Sequence, residues 1–143
     1  MTAVRRLRRA CTLNRSEWRL LGEAAFLAVL LECALTLMSL HRLLAVLSKL
    51  KPVSAPMKSE TDGTGCAVAV QRAYRVLPFN HTCLRESLVL LALLYRRGVD
   101  AELCIGVKKS GIELAAHAWV NADALPQDCE ANATYRLLSL PGY

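Results

Sequence analysis

Aromatic residues make up only 6% of this 143-residue chain, and paired cysteine motifs are missing altogether. Six cysteines are present, Cys11, Cys33, Cys66, Cys83, Cys104 and Cys129, but none form a Cys-x-x-Cys pair and their gaps match no zinc spacing. The three histidines, His41, His81 and His117, lie far apart in sequence. No metal site and no cofactor site is expected from these residues. The chain also has no Gly-rich phosphate loop and no internal repeat. A disulfide scaffold would be small, secreted and poor in core. Here 54% of the residues are hydrophobic, so reduced thiols and a cytoplasmic protein are expected.

Acidic residues are scarce in one place. Residues 1–19 hold six arginines against the single acid Glu17, which accounts for most of the net charge of +6. The remainder is near neutral, so a chain-wide nucleic-acid surface is excluded and no nucleic-acid partner is expected. Residues 1–15 read as a basic, solvated arm.

What is present is aliphatic and rich in Leu and Ala, enough for one domain with a core. Residues 16–50 read as a helical region, with Ser16 as the N-cap and a break near Glu32 to Thr36. Between residues 24 and 40 the only charge is Glu32. A carboxylate in the middle of a bilayer is costly, which argues for packed helices and against membrane contact. The apolar run also starts too late for a signal peptide and lacks a small-x-small cleavage site. Residues 51–65, "KPVSAPMKSETDGTG", read as a linker, and "CAVAVQRAYRVL" (66–77) as a short helix that Pro78 ends.

The stretch "NHTCLRESLVLLALLYRRG" (80–98) is a central helix, apolar on several faces. Thr82 caps it and puts Cys83 in its first turn; Gly98 stops it after Arg96 and Arg97. Beyond it the period changes to two. "AELCIGV" (101–107), the turn "KKSG", and "IELAAHAWV" (112–120) form a hairpin. A turn at Ala122 and Asp123, a short segment at 124–129 and "TYRLLSL" (134–140) complete a small sheet. Helices followed by an antiparallel sheet give an α+β fold.

Cys83 and His117 form the constellation with chemistry. A thiol attacks as thiolate, and a helix N-terminus stabilises that charge. An imidazole on a following strand supplies the base, and a third polar group orients it. Cys33 and Cys104 sit in apolar segments and read as packing. Trp119 shares a strand face with His117.

The run "CLRESLVLLALLYRRGVDAELCIGVKK", followed by "AHAWV", resembles the transglutaminase-like cysteine peptidases of lasso-peptide biosynthesis. These enzymes remove the leader from a ribosomally made precursor, alongside a ring-closing cyclase. The resemblance covers roughly residues 76–129. It implies a papain/transglutaminase-like core spanning 66–143 and a Cys-His-Asp triad, with Cys83 as nucleophile and His117 as base. It also implies a separate leader-binding protein, because no domain for that task fits here. The apolar helices at 17–50 are the expected docking surface. Two positions depart from the family pattern: Asn121 stands where an acid often follows His-Ala-Trp-Val, and Ala124 where glycine is usual.

Asp123 and Asp128 both follow His117 and compete for the third place. If Ala122 and Asp123 form a two-residue hairpin turn, Asn121 pairs with Ala124 and His117 comes to face Asp128. Asp128 is therefore the expected third member, with Asp123 in the turn. Acyl transfer to an amine, or a non-catalytic helical adaptor, are the alternative functions for the same sequence.

Overall fold

The computed structural model describes residues 14–50, 60–110, 113–123, 125 and 135–138. Among these the order is α1 (Arg15–Leu37), α2 (Leu40–Ser48), α3 (Glu60–Val76), α4 (Cys83–Arg96), β1 (Glu102–Ser110), β2 (Glu113–Asn121) and β3 (Arg136–Leu137). Helices precede a three-stranded antiparallel sheet, the expected α+β arrangement.

α1 starts at Asn14, not Ser16. The Asn14 side chain accepts the Arg15 N–H at 2.7 Å, and the Glu17 carboxylate accepts the Asn14 N–H at 2.8 Å. This reciprocal box needs an acid three residues after the cap, and Ser16 is followed at that spacing by Arg19. The expected break at Glu32 to Thr36 is absent, and the helix runs on to Leu37 before turning at Met38 and Ser39. Glu32 does not interrupt α1 because it has a partner elsewhere: Arg85 Nε of α4 lies 3.1 Å from its Oε1.

α3 begins at Glu60, so the last residues of the stretch read as a linker are helical. The close approach of α1 supports them, since a Cβ added at Gly65 would stand 3.8 Å from Leu20 Cδ2.

α4 is the centre of the molecule. Leu88, Leu91, Leu93 and Leu94 are fully buried, and α1, α3 and the sheet surround them. Its C-terminus closes with a glycine in the left-handed region, Gly98, at φ 76°. The Gly98 N–H reaches Tyr95 O at 3.0 Å and the Val99 N–H reaches Leu94 O at 3.0 Å. Those two bonds satisfy carbonyls that the helix end would otherwise leave unpaired. Ion pairs set the helix direction against α1. Glu23 near the start of α1 meets Arg96 and Arg97 at the end of α4, whereas Glu32 near the end of α1 meets Arg85 at the start of α4. The two helices therefore run antiparallel.

From α4 the chain turns directly into the sheet. The buried Tyr95 hydroxyl donates to Ala101 O at 2.9 Å, one residue before β1. β1 and β2 pair from Glu102↔Asn121 to Ser110↔Glu113. The strand thus continues through Lys108 and Lys109, which had read as part of the turn. β3 pairs with β1, giving the order β2-β1-β3. Leu103, Ile105 and Val120 join the helical core. By alternation, Cys104, Gly106, His117 and Trp119 take the other side.

Cys33 lies exposed on α1 rather than in the core, a correction to its reading as packing; Cys104 is half-buried. Burial pushes the Cys104 thiol above its ordinary range, and the nearby Glu102 adds to this. A thiol held protonated in this way is poorly nucleophilic.

Candidate active site

Cys83 is the first residue of α4, half-buried and outside any disulfide. Thr82 adopts the extended backbone of an N-cap, and its Oγ1 accepts the Arg85 N–H at 3.4 Å. The thiol therefore stands at the end of the helix where N–H groups are unpaired and partial positive charge collects.

A polar cluster surrounds this end. Arg85 donates through Nη1 to Asn80 O at 2.9 Å while its Nε faces Glu32 at 3.1 Å. The latter is an ion pair without the alignment of a hydrogen bond. A guanidinium in the first turn opposes the helix dipole, and the Glu32 carboxylate offsets that charge. His81 Nε2 lies 2.6 Å from Glu86 Oε1, and the His81 ring meets Tyr74 edge-on at 5.8 Å between centroids. His81 and Glu86 occupy the positions where many helices place an apolar staple, so the loop entering α4 is held here by an ionic one. The buried Tyr74 hydroxyl is pushed up to about 12, chiefly by desolvation, then by Glu32, with Arg85 acting against the rise.

Ser87 links this helix to the histidine strand. Its hydroxyl donates to Ala118 O at 3.0 Å, and both residues are buried. Among the described strands β2 lies at the edge of the sheet, and this carbonyl accepts from α4. Ser87 follows Cys83 by four residues, roughly 6 Å along the helix axis. Ala118 directly follows His117. The structure thus joins the turn that carries the thiol to the strand that carries the imidazole.

It does not join the two side chains. Among the described residues no hydrogen bond runs between Cys83 and His117. The His117 ring stacks on Trp119 at 5.8 Å and 17°, and lies 5.5 Å from the Tyr135 ring. Catalytic hydrogen bonds are often long in a free enzyme and tighten when substrate binds. The Trp119 indole N–H is buried with no hydrogen-bond partner among the described residues.

Asp123 is exposed. Its turn closes by a hydrogen bond from Leu125 N–H to Ala122 O at 3.0 Å. That is one residue later than the Asn121–Ala124 pairing from which Asp128 was selected. Asp128 itself lies outside the described residues.

A model of the transglutaminase-like superfamily matches residues 26–139. The chain belongs to the transglutaminase-like superfamily. No curated protein and no solved structure matches it significantly. Membership of the transglutaminase-like superfamily suggests cysteine peptidase or acyl-transfer activity. The match opens inside α1, so the superfamily domain takes in most of the amino-terminal helices as well as α4 and the sheet.

Sequence reasoning named Cys83, His117 and Trp119 but gave no site role to four residues around them. Ser87 was legible as a lone hydroxyl in a buried face, four residues after the thiol. Arg85 and Glu32 were both visible as charges out of place, one against a helix dipole and one in an apolar run. Tyr135 carried no local mark.

Proposed function

We propose that this protein is a cytoplasmic cysteine peptidase that removes the leader from a lasso-peptide precursor. The observation that carries the reading is the seam between Cys83 and His117. A cysteine heads the central helix of a transglutaminase-like domain, and the next turn of that helix is bonded to the residue after the histidine. The quoted cysteine, "RRG", "DAELCIGV" and "HAW" elements supply the narrower resemblance to leader peptidases.

In this reading His117 takes the Cys83 proton and the thiolate adds to the scissile carbonyl, forming a C–S bond. The Cys83 backbone N–H, at the open end of α4, is a donor for the oxyanion. Collapse breaks the peptide C–N bond, and the imidazolium returns its proton to the leaving amine. Water then adds to the thioester with His117 as base, the C–S bond breaks, and the leader leaves as a carboxylic acid. Asp128 orients the imidazole. If an amine replaces water in the second half, the same intermediate gives acyl transfer, which superfamily membership also supports.

The leader is held by a separate recognition protein. Phe26, Leu30 and Leu37 lie exposed along α1, with Val46 exposed on α2, and contiguous apolar patches mark interaction sites. A ring-closing cyclase consumes the product.

The test is incubation with candidate precursor peptides, with and without the leader-binding protein, followed by mass spectrometry. Leader loss should require Cys83, so Cys83→Ala should abolish it without unfolding the protein. Full cleavage by that variant would refute the assignment. Asp128→Asn should lose far more activity than Asp123→Asn; equal, mild losses would leave a Cys83–His117 dyad.

A further inference from the structure

The His117 imidazole has no hydrogen-bond partner among the described residues, yet its plane is set. Trp119 stacks nearly parallel to it at 17° and 5.8 Å, and Tyr135 packs at 5.5 Å and 39°. Trp119 and Tyr135 also touch each other, at 6.3 Å between centroids. The three rings come from two elements, β2 and the residue before β3, and they gather over one glycine. Gly106 pairs with His117 across the strands. A Cβ there would stand 2.6 Å from Tyr135 Cβ and 3.1 Å from Trp119 Cη2. Any other residue at 106 would push the rings apart.

We propose that Trp119 and Tyr135 are positioning residues that hold the His117 imidazole in its working orientation, an inference that rests on His117 being the base. A base must present one nitrogen along one direction, and a ring free to rotate does so only part of the time. Stacking restricts that rotation. Trp119 meets the imidazole through its ring face. That face also attracts the imidazolium formed when the imidazole takes the thiol proton.

The experiment uses the full chain with labelled histidines and follows two quantities. One is the imidazole proton resonances of His117, assigned with His117→Ala. The other is the rate at which iodoacetamide alkylates Cys83 at neutral pH. In the parent protein the His117 resonances should lie upfield of those of His41 and His81, displaced by the neighbouring rings. Trp119→Leu should remove that displacement and slow alkylation about tenfold, the scale of a contact on a desolvated cation. Trp119→Phe should restore most of both. Tyr135→Leu gives the same reading from the other element if Trp119→Leu does not fold. Parental resonances and rates in both Leu variants would overturn the inference. If His117→Ala slows alkylation but the Leu variants do not, the base assignment stands and only the positioning role falls. If His117→Ala reacts at the parental rate, the base assignment fails and the inference falls with it.

Discussion

The central helix α4 and the sheet face that carries His117 pair their buried polar groups differently. Along α4, four leucines are sealed from solvent, and the two buried hydroxyls, Ser87 and Tyr95, each donate to a carbonyl. On the sheet face that carries His117, the imidazole and Cys104 are half-buried and the Trp119 N–H has no hydrogen-bond partner among the described residues. α4 carries the sealed leucines of the core, and this face of the sheet carries a cluster of three rings. Cys83 heads the helix that Ser87 bonds to the sheet.

The comparison can be broken first at the helical core. Leu91→Ala leaves a cavity in the central helix and should cost about 2–5 kcal/mol, read from the urea midpoint. Because α4 carries Cys83, iodoacetamide labelling should lose its selectivity for that thiol as the variant loosens. A loss below about 1 kcal/mol would mean that α4 is not the structural centre.

Gly106→Ala tests the sheet side and should cost less, about 1–3 kcal/mol, because strand β3 can shift where a sealed core cannot. The added methyl meets Tyr135 and Trp119, so near-ultraviolet circular dichroism should change while far-ultraviolet helix signal stays. Unchanged aromatic spectra would mean the three rings do not gather over position 106.

The smallest effect belongs to the polar cluster that joins α1, α3 and the start of α4. The Tyr74 hydroxyl is pushed up to about 12 in the folded protein, mainly by burial. A raised value means that the folded state holds this proton more tightly than the unfolded chain. Its contribution is whole below about pH 10, the value in an unfolded chain, and is lost as pH rises toward 12. Thermal melts from pH 9 upward should show a steeper decline in the parent than in Tyr74→Phe, with little difference at neutral pH. Parallel curves would show that Tyr74 is not buried in that cluster.

Local rules were enough to read the element that matters most. Thr82, Cys83 and Gly98 stand where capping and stopping chemistry put them, because each acts on backbone groups within a turn of itself. The hairpin of β1 and β2 was legible for the same reason: its alternation is carried by neighbours. The errors have a common form. Glu32 looked like a break in α1 because its partner, Arg85, is remote in sequence. The paired strand runs past Val107 because backbone pairing, unlike side-chain alternation, continues through Lys108 and Lys109 to Ser110. The turn after β2 runs from Ala122 to Leu125, one residue later than the hairpin turn expected at Ala122 and Asp123, and Asp128 lies outside the described residues.

Composition, capping and period were sufficient to establish an α+β chain with a thiol at the head of its central helix and an imidazole on a later strand. All three act over a few residues, and a single chain displays them directly. The antiparallel seating of α1 on α4, the Ser87 bond to the histidine strand, the placing of β3 beside β1 and the gathering of three rings over Gly106 depended on folding. Each needs groups far apart in sequence to meet, and which groups meet is settled by how the whole chain buries its leucines, which no local window contains.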